Sequence, residues 1–187
     1  MDNKLNELLE CSPIIATVLD WESVEMAVKS ECEVVLVAFG NLLELDKIVE
    51  KLRYADKKVI VHLELIDGFS SREIAIDILL MRCQVDGIIS TKAAHIRRAR
   101  QREICSILRM FMIDTKSYMG VPAQLQCKPD FVEIEPGIMP KVIADLKSVT
   151  EIPIIASGFI TEKAEIISAL SAGAMAVSTS QIRLWDL

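Results

Sequence analysis

Eight short apolar runs, separated by segments with helical spacing, govern what this chain can fold into. They cover residues 14–18, 34–38, 59–63, 87–89, 106–113, 131–134, 153–156 and 174–177. Most are apolar throughout rather than alternating, which is the pattern of parallel strands buried on both faces. The last unit states the rhythm most clearly. An Ile-rich run ends at Ser157 and Gly158, and Ala164, Ile166, Ile167 and Leu170 then recur at helical spacing. Gly173 follows as a C′ glycine, where the left-handed conformation carries no Cβ penalty. The next run returns within three residues, giving a strand, helix, strand unit whose default crossover is right-handed. The 187 residues hold eight such units with no break in composition, so we expect one domain, 1–187, folded as a compact (β/α)8 barrel of the TIM type.

Both ends of the chain bear on closure. Only residues 181–187 follow Ser180, so the eighth outer helix must be truncated. The N-terminal segment 4–11 carries Leu5, Leu8 and Leu9 on one side of a helix. Either this helix closes the bottom of the barrel or a partner chain covers the exposed side, and a homodimer is expected on the second ground. Elsewhere, Ser70 and Glu73 form an S-x-x-E pattern expected to cap the helix after the third run.

Composition excludes several classes. No run of 18 apolar residues occurs and the chain begins with a polar, charged stretch, so neither a membrane span nor a signal peptide is expected. Five cysteines stand singly with no C-x-x-C pair, which fits a reducing, cytoplasmic setting better than a disulfide framework or a zinc site. His62 and His95 fall on different units, so no metal site is expected. There is no P-loop and no G-x-G-x-x-G, and no nucleotide cofactor is expected either. A net charge of −6 argues against coating nucleic acid by bulk charge.

Chemistry in such a barrel sits at the C-terminal ends of the strands. Those ends offer Asp20, Asn41, His62, Glu64, Asp67, Lys92, Arg109, Asp114, Glu133, Glu135, Ser157 and Ser178. His62, Arg109 and Glu133 lie within their runs, where a charged group must be paired, so they are expected to point into the barrel mouth. Arg109 and Glu133 fit equally a structural ion pair. The turns SGF (157–159) and STS (178–180) read either as anion-binding turns rich in free N–H groups or as ordinary turn and cap residues. Lys92 suits a Schiff-base amine, an anion partner or a solvated surface lysine.

Five stretches carry a resemblance that the pattern alone does not supply. VIVHLELIDGFSSREIAID (59–77), DGIISTK (86–92), PDFVEIEPGIMPKVI (129–143), IPIIASGFI (152–160) and ALSAGAMAVSTS (169–180) together resemble the bacterial glycerol uptake operon antiterminator family. The resemblance implies a regulator that senses glycerol 3-phosphate and acts on leader mRNA to prevent premature termination of glycerol-utilisation transcripts. It implies further that Ser157, Gly158, Ser178, Thr179 and Ser180 hold the phosphate. His62, Glu64, Lys92, Arg109, Glu133 and Gly137 would surround the glycerol part. Where the family tends to have two glycines after the seventh strand, this chain has Ser157 first, which adds a hydroxyl donor and narrows the approach to the backbone.

RNA contact would fall to the segment AAHIRRARQRE, whose Arg97, Arg98, Arg100 and Arg102 form the densest basic cluster of the chain. On a helix these four spread over more than one face, so a solvated outer helix is the plain alternative. A second functional class also stands: a small barrel enzyme acting on a phosphorylated triose or sugar, with acid/base groups drawn from Asp20, Glu64, Asp67 and Glu133. No spacing among these is diagnostic of a reaction.

Overall fold

The computed structural model describes residues 3–187. Helix α1 (Asn3–Cys11) precedes eight strands, β1 (Ile14–Val18), β2 (Val34–Val37), β3 (Lys58–His62), β4 (Gly87–Ser90), β5 (Cys105–Phe111), β6 (Phe131–Glu135), β7 (Ile154–Ser157) and β8 (Ala176–Thr179). All neighbours pair in parallel, and β8 pairs with β1 through Ile14↔Val177, so the sheet closes on itself as a (β/α)8 barrel. The crossovers carry α2 (Trp21–Lys29), α3 (Leu45–Tyr54), α4 (Ile74–Arg82), α5 (Ala93–Gln101), α8 (Pro140–Lys147) and α9 (Lys163–Ser171). Between β5 and β6 stand only two short helices, α6 (Thr115–Met119) and α7 (Val121–Gln124), as the helix-breaking Gly120 and Pro122 require.

Strand alternation divides the core in two. Ile14, Val35, Val59, Ile88, Leu108 and Ile154 face outward and pack under the helices. Their neighbours Ile15, Leu36, Ile60, Ile89, Ile107 and Ile155 face inward and fill the barrel. Leu5 and Leu9 of α1 belong to the inner cluster, at 2% and 0% exposure. The N-terminal helix therefore plugs the bottom of the barrel.

The C-terminal end covers the remaining seam without a partner chain. Its 3-10 turn, Ile182–Leu184, buries Leu184 and Trp185 against the outer core. Trp185 Nε1 donates to the Thr179 carbonyl at 2.9 Å, and the Glu31 N–H donates to Asp186 Oδ1 at 2.8 Å. These contacts cover part of the side left by the truncated eighth helix.

Three local expectations are corrected. β8 runs to Thr179, so Ser178 and Thr179 are strand residues rather than turn residues. The S-x-x-E box does not form: the chain makes a tight turn at 70–73, Ser70 Oγ accepts the Arg72 N–H at 3.1 Å, and α4 starts only at Ile74. Asp20 and Asp114, read as mouth residues, are helix caps. Each accepts the N–H of a serine three residues on, at 2.7 Å and 2.8 Å, and that serine bonds back to the cap.

The plug makes a measurable contribution. Leu9→Ala should cost about 2–5 kcal/mol in urea unfolding, the usual loss for a large aliphatic side chain removed from a closed core. A cost below about 0.5 kcal/mol, the level of an ordinary surface change, would remove α1 from the barrel core.

Candidate functional site

The same two-residue period that buries Ile15, Ile60, Ile107, Phe131, Ile155 and Ala176 inside the barrel puts polar side chains one layer higher. These are Thr17, His62, Arg109, Glu133, Ser157 and Ser178. Arg109 is the centre of this layer. Its Nε donates to Glu133 Oε2 at 2.5 Å, and its Nη1 lies 3.4 Å from Glu135 Oε1. Ser157 Oγ donates to the same Glu135 oxygen at 3.2 Å, and the hydroxyls of Thr17 and Ser178 bond each other at 2.7 Å.

Burial and charge act together on the titrating groups. Glu133 is fully buried and its Oε1 has no partner among the described residues. Burial pushes its carboxyl up, and the Arg109 guanidinium pulls it back down. Burial, reinforced by the Arg109 charge, lowers His62 to about 4. Its Nδ1 lies 3.5 Å from Glu64 Oε2, close enough to sense the carboxylate but outside hydrogen-bonding geometry.

Above Arg109 opens a cavity of about 340 Å³. Of the residues expected to bind ligand, it brings together Arg109, Ser157, Gly158, Ser178, Thr179 and Ser180. The turn after β7 is shaped for close approach: Gly158 and Phe159 both adopt left-handed backbone, at φ 81° and 61°. Among the described residues, the N–H groups of Gly158, Phe159 and Ser180 donate to no turn, cap or side-chain acceptor. Phe159 and Ser180 lie beyond the paired residues of β7 and β8. Thr179, by contrast, turns its hydroxyl outward to the Ile160 carbonyl at 2.8 Å.

The other expected ligand residues do not line this cavity. Gly137 packs against β7: a Cβ there would lie 2.6 Å from the Ser157 nitrogen, so the position tolerates glycine alone. Glu133 lies beneath the cavity floor, and His62 sits in the same buried layer. Glu64 accepts from Ser90 Oγ at 2.6 Å, and Ser90 in turn bonds His95 Nδ1 at 2.9 Å. Lys92 precedes α5 at its N-cap position, its N–H donating to Ser90 Oγ at 3.0 Å.

Glu135, Thr17 and Phe159 line the cavity without having been assigned to the ligand site. Glu135 was legible, because Glu133 and Glu135 are two apart on one strand and must share a face. Thr17, the lone hydroxyl within its apolar run, carried a similar signal. Phe159 did not: nothing in SGF announces a phenylalanine that is 75% exposed on left-handed backbone.

The basic helix is divided. Arg98 makes a bidentate pair with Asp77 of α4, Nε at 3.1 Å and Nη2 at 2.8 Å, and Arg102 Nε lies 3.6 Å from the same carboxylate. Arg97 and Arg100 are exposed and make no ion pair among the described residues. Their charges reach Cys127 on the far side of α5.

A closed barrel of eight parallel strands with a polar cavity at its mouth defines a fold shared by many chains. Sequence comparison narrows it. The profile of the glycerol-3-phosphate responsive antiterminators matches residues 14–185, and the chain belongs to that regulatory family. It is 36% identical over 184 residues to the uncharacterized protein YgcP of Escherichia coli K12, covering 98% of this chain and 96% of that one. The glycerol uptake operon antiterminator regulatory protein of Listeria monocytogenes superposes with a TM-score of 0.89 at 31% identity, over 92% of this chain and 94% of that one. An antiterminator-related protein of Thermotoga maritima gives 0.84 at 28% identity, over 94% and 99%. A deoxyribose phosphate aldolase of Aeropyrum pernix gives 0.68 at 15% identity, over 98% and 95%, a likeness of fold alone.

The lowered pKa of His62 makes stability depend on pH with a definite sign. The unfolded chain takes up its proton near 6.5 and the folded one only near 4. This part of the stability is therefore intact above pH 6.5 and is lost as pH falls toward 4, by roughly 3 kcal/mol in total. In urea unfolding at pH 7.5 and pH 4.5, His62→Gln should lose less stability on acidification than the wild type. Equal losses would mean that His62 is protonated in the native barrel.

Proposed function

We propose that this chain is a non-catalytic sensor of glycerol 3-phosphate that, when loaded, binds leader mRNA of glycerol-utilisation genes and prevents transcription termination. Family membership supports the regulatory part of this reading. What supports the ligand part is that Gly158, Phe159 and Ser180, whose N–H groups make no turn, cap or side-chain bond among the described residues, line one cavity with Arg109. Backbone N–H groups converging at strand-to-helix turns suit a phosphate, and the last two turns of this fold are where phosphates commonly sit.

The enzyme reading has less to stand on. The cavity lining holds no lysine, cysteine or histidine, and its carboxylate, Glu135, is already engaged by Arg109 and Ser157. Schiff-base chemistry would have to draw on Lys92, which lies outside the cavity.

Ser180 gives the cleanest ligand test, because it is exposed and its side chain holds nothing else in place. Ser180→Asp sets a carboxylate at the phosphate position and should weaken glycerol 3-phosphate binding at least tenfold by calorimetry while leaving the melting temperature within about 2 °C. Unchanged affinity would move the phosphate site away from the β7 and β8 turns.

For RNA, the test belongs to Arg97 and Arg100, since reversing Arg98 would also break the tie to Asp77. Arg97→Glu with Arg100→Glu should remove most affinity for the leader RNA of the transcription unit that encodes this chain. It should also flatten the salt dependence by about one unit of log–log slope or more. Ligand affinity should not change. RNA binding at the wild-type salt slope would place the RNA surface elsewhere.

A further inference from the structure

Glu135 stands where a site made for phosphate alone has no use for a carboxylate. It ends β6 and forms part of the cavity wall. A Cβ on Gly158 would lie 3.4 Å from Glu135 Cγ, so the side chain runs directly beneath the turn that offers its N–H groups to an anion. Arg109 does not fully offset this charge, because the buried Glu133 already holds its Nε from below. One guanidinium thus faces two carboxylates, and an incoming phosphate meets like charge at close range.

The contacts of Glu135 indicate its use. Arg109 Nη1 at 3.4 Å and Ser157 Oγ at 3.2 Å both address Oε1, which fixes the side chain. Oε2 has no partner among the described residues, and the side chain keeps 23% of its surface exposed at the cavity. A carboxylate oxygen accepts through two lone pairs, so Oε2 alone has room for the two donors that adjacent hydroxyl groups present.

We propose that Glu135 is the specificity-determining residue of the mouth, and that it accepts the hydroxyl hydrogens of a phosphorylated polyol. This rests on the sensor reading above and adds a ligand class: phosphomonoesters whose carbon chain carries free hydroxyls near the ester. The turns after β7 and β8 take the phosphate, and Glu135 takes the diol. Inorganic phosphate fills the turns but brings no diol to the carboxylate, and glycerol brings the diol with no anion for the turns. Ser157 is a positioning residue in this scheme, since it holds Glu135 rather than the ligand.

The test is calorimetric titration of the full chain with glycerol 3-phosphate and with methyl phosphate, which has the same ester and no hydroxyls. The wild type should prefer glycerol 3-phosphate at least tenfold. Glu135→Ala should lose that preference through weaker glycerol 3-phosphate binding, while methyl phosphate binds as before or more tightly because a like charge is gone. Glu135→Gln keeps one acceptor oxygen and should fall between, and it serves as the measured variant if the alanine variant does not fold. A wild-type preference retained by the folded variant overturns the role of Glu135 and leaves the sensor reading standing. Absence of binding by the wild type to either ester overturns the sensor reading itself, and this inference with it.

Discussion

An arginine inside a closed barrel is tolerable only with a carboxylate against it, and the Arg109 to Glu133 pair meets that condition. Below the pair the barrel is filled by Ile15, Ile60, Ile107, Ile155 and the leucines of α1, and no water-sized polar interior is needed. Above it, hydroxyls and a second carboxylate line an open cavity. Removing either partner would leave an uncompensated charge in the core, at a cost of about 3–5 kcal/mol. One side chain thus spans core and mouth: Glu133 binds Arg109 into the core, and the remaining face of the guanidinium reaches Glu135 at the cavity. Of the two readings of this pair that the sequence leaves open, the ion pair is formed in the structure.

The turn after β7 depends on its neighbour as much as on its own sequence. Gly137, after β6, donates its N–H to the Gly158 carbonyl at 3.2 Å, and no side chain fits at Gly137 because the β7 backbone passes so close. That contact fixes the Gly158 peptide within the turn that lines the cavity. Gly137 thus serves the site by fixing the turn, and Ser157 serves it by fixing Glu135. Neither needs to touch a ligand, which explains why a serine is accommodated where a second glycine would allow the backbone a closer approach.

The architecture was legible because it follows from period and count: parallel buried strands read as continuous apolar runs, and eight of them in one chain close. What failed was local. β8 begins at Ala176 rather than Ala174 because apolarity cannot separate a buried approach segment from the strand itself, and the two-residue offset carried Ser178 and Thr179 out of the turn. Asp20 and Asp114 are polar residues at strand ends, as binding residues are, but a serine three positions on makes each a cap, and that spacing was present to be read. Long-range partners were not. Nothing in the order of residues says that Asp77, on the preceding helix, claims Arg98, or that Ser90 would link Glu64 to His95.

These long-range ties also decide what α5 can do. Asp77 neutralises the Arg98 side of the helix, so the charge left for a polyanion is on the side of Arg97 and Arg100, next to the short helices between β5 and β6. At its other end, α5 is joined to the mouth by a buried polar chain from Glu64 through Ser90 to His95, with Ser90 and His95 at 0% and 1% exposure. Groups buried this deeply keep their bonds because breaking one leaves a desolvated polar atom. The helix that carries the free arginines is therefore held at a fixed distance from the cavity by hydrogen bonds rather than by apolar packing alone. Two arginines that make no ion pair among the described residues thus sit on a helix whose first turn is tied to the strand ends by buried hydrogen bonds.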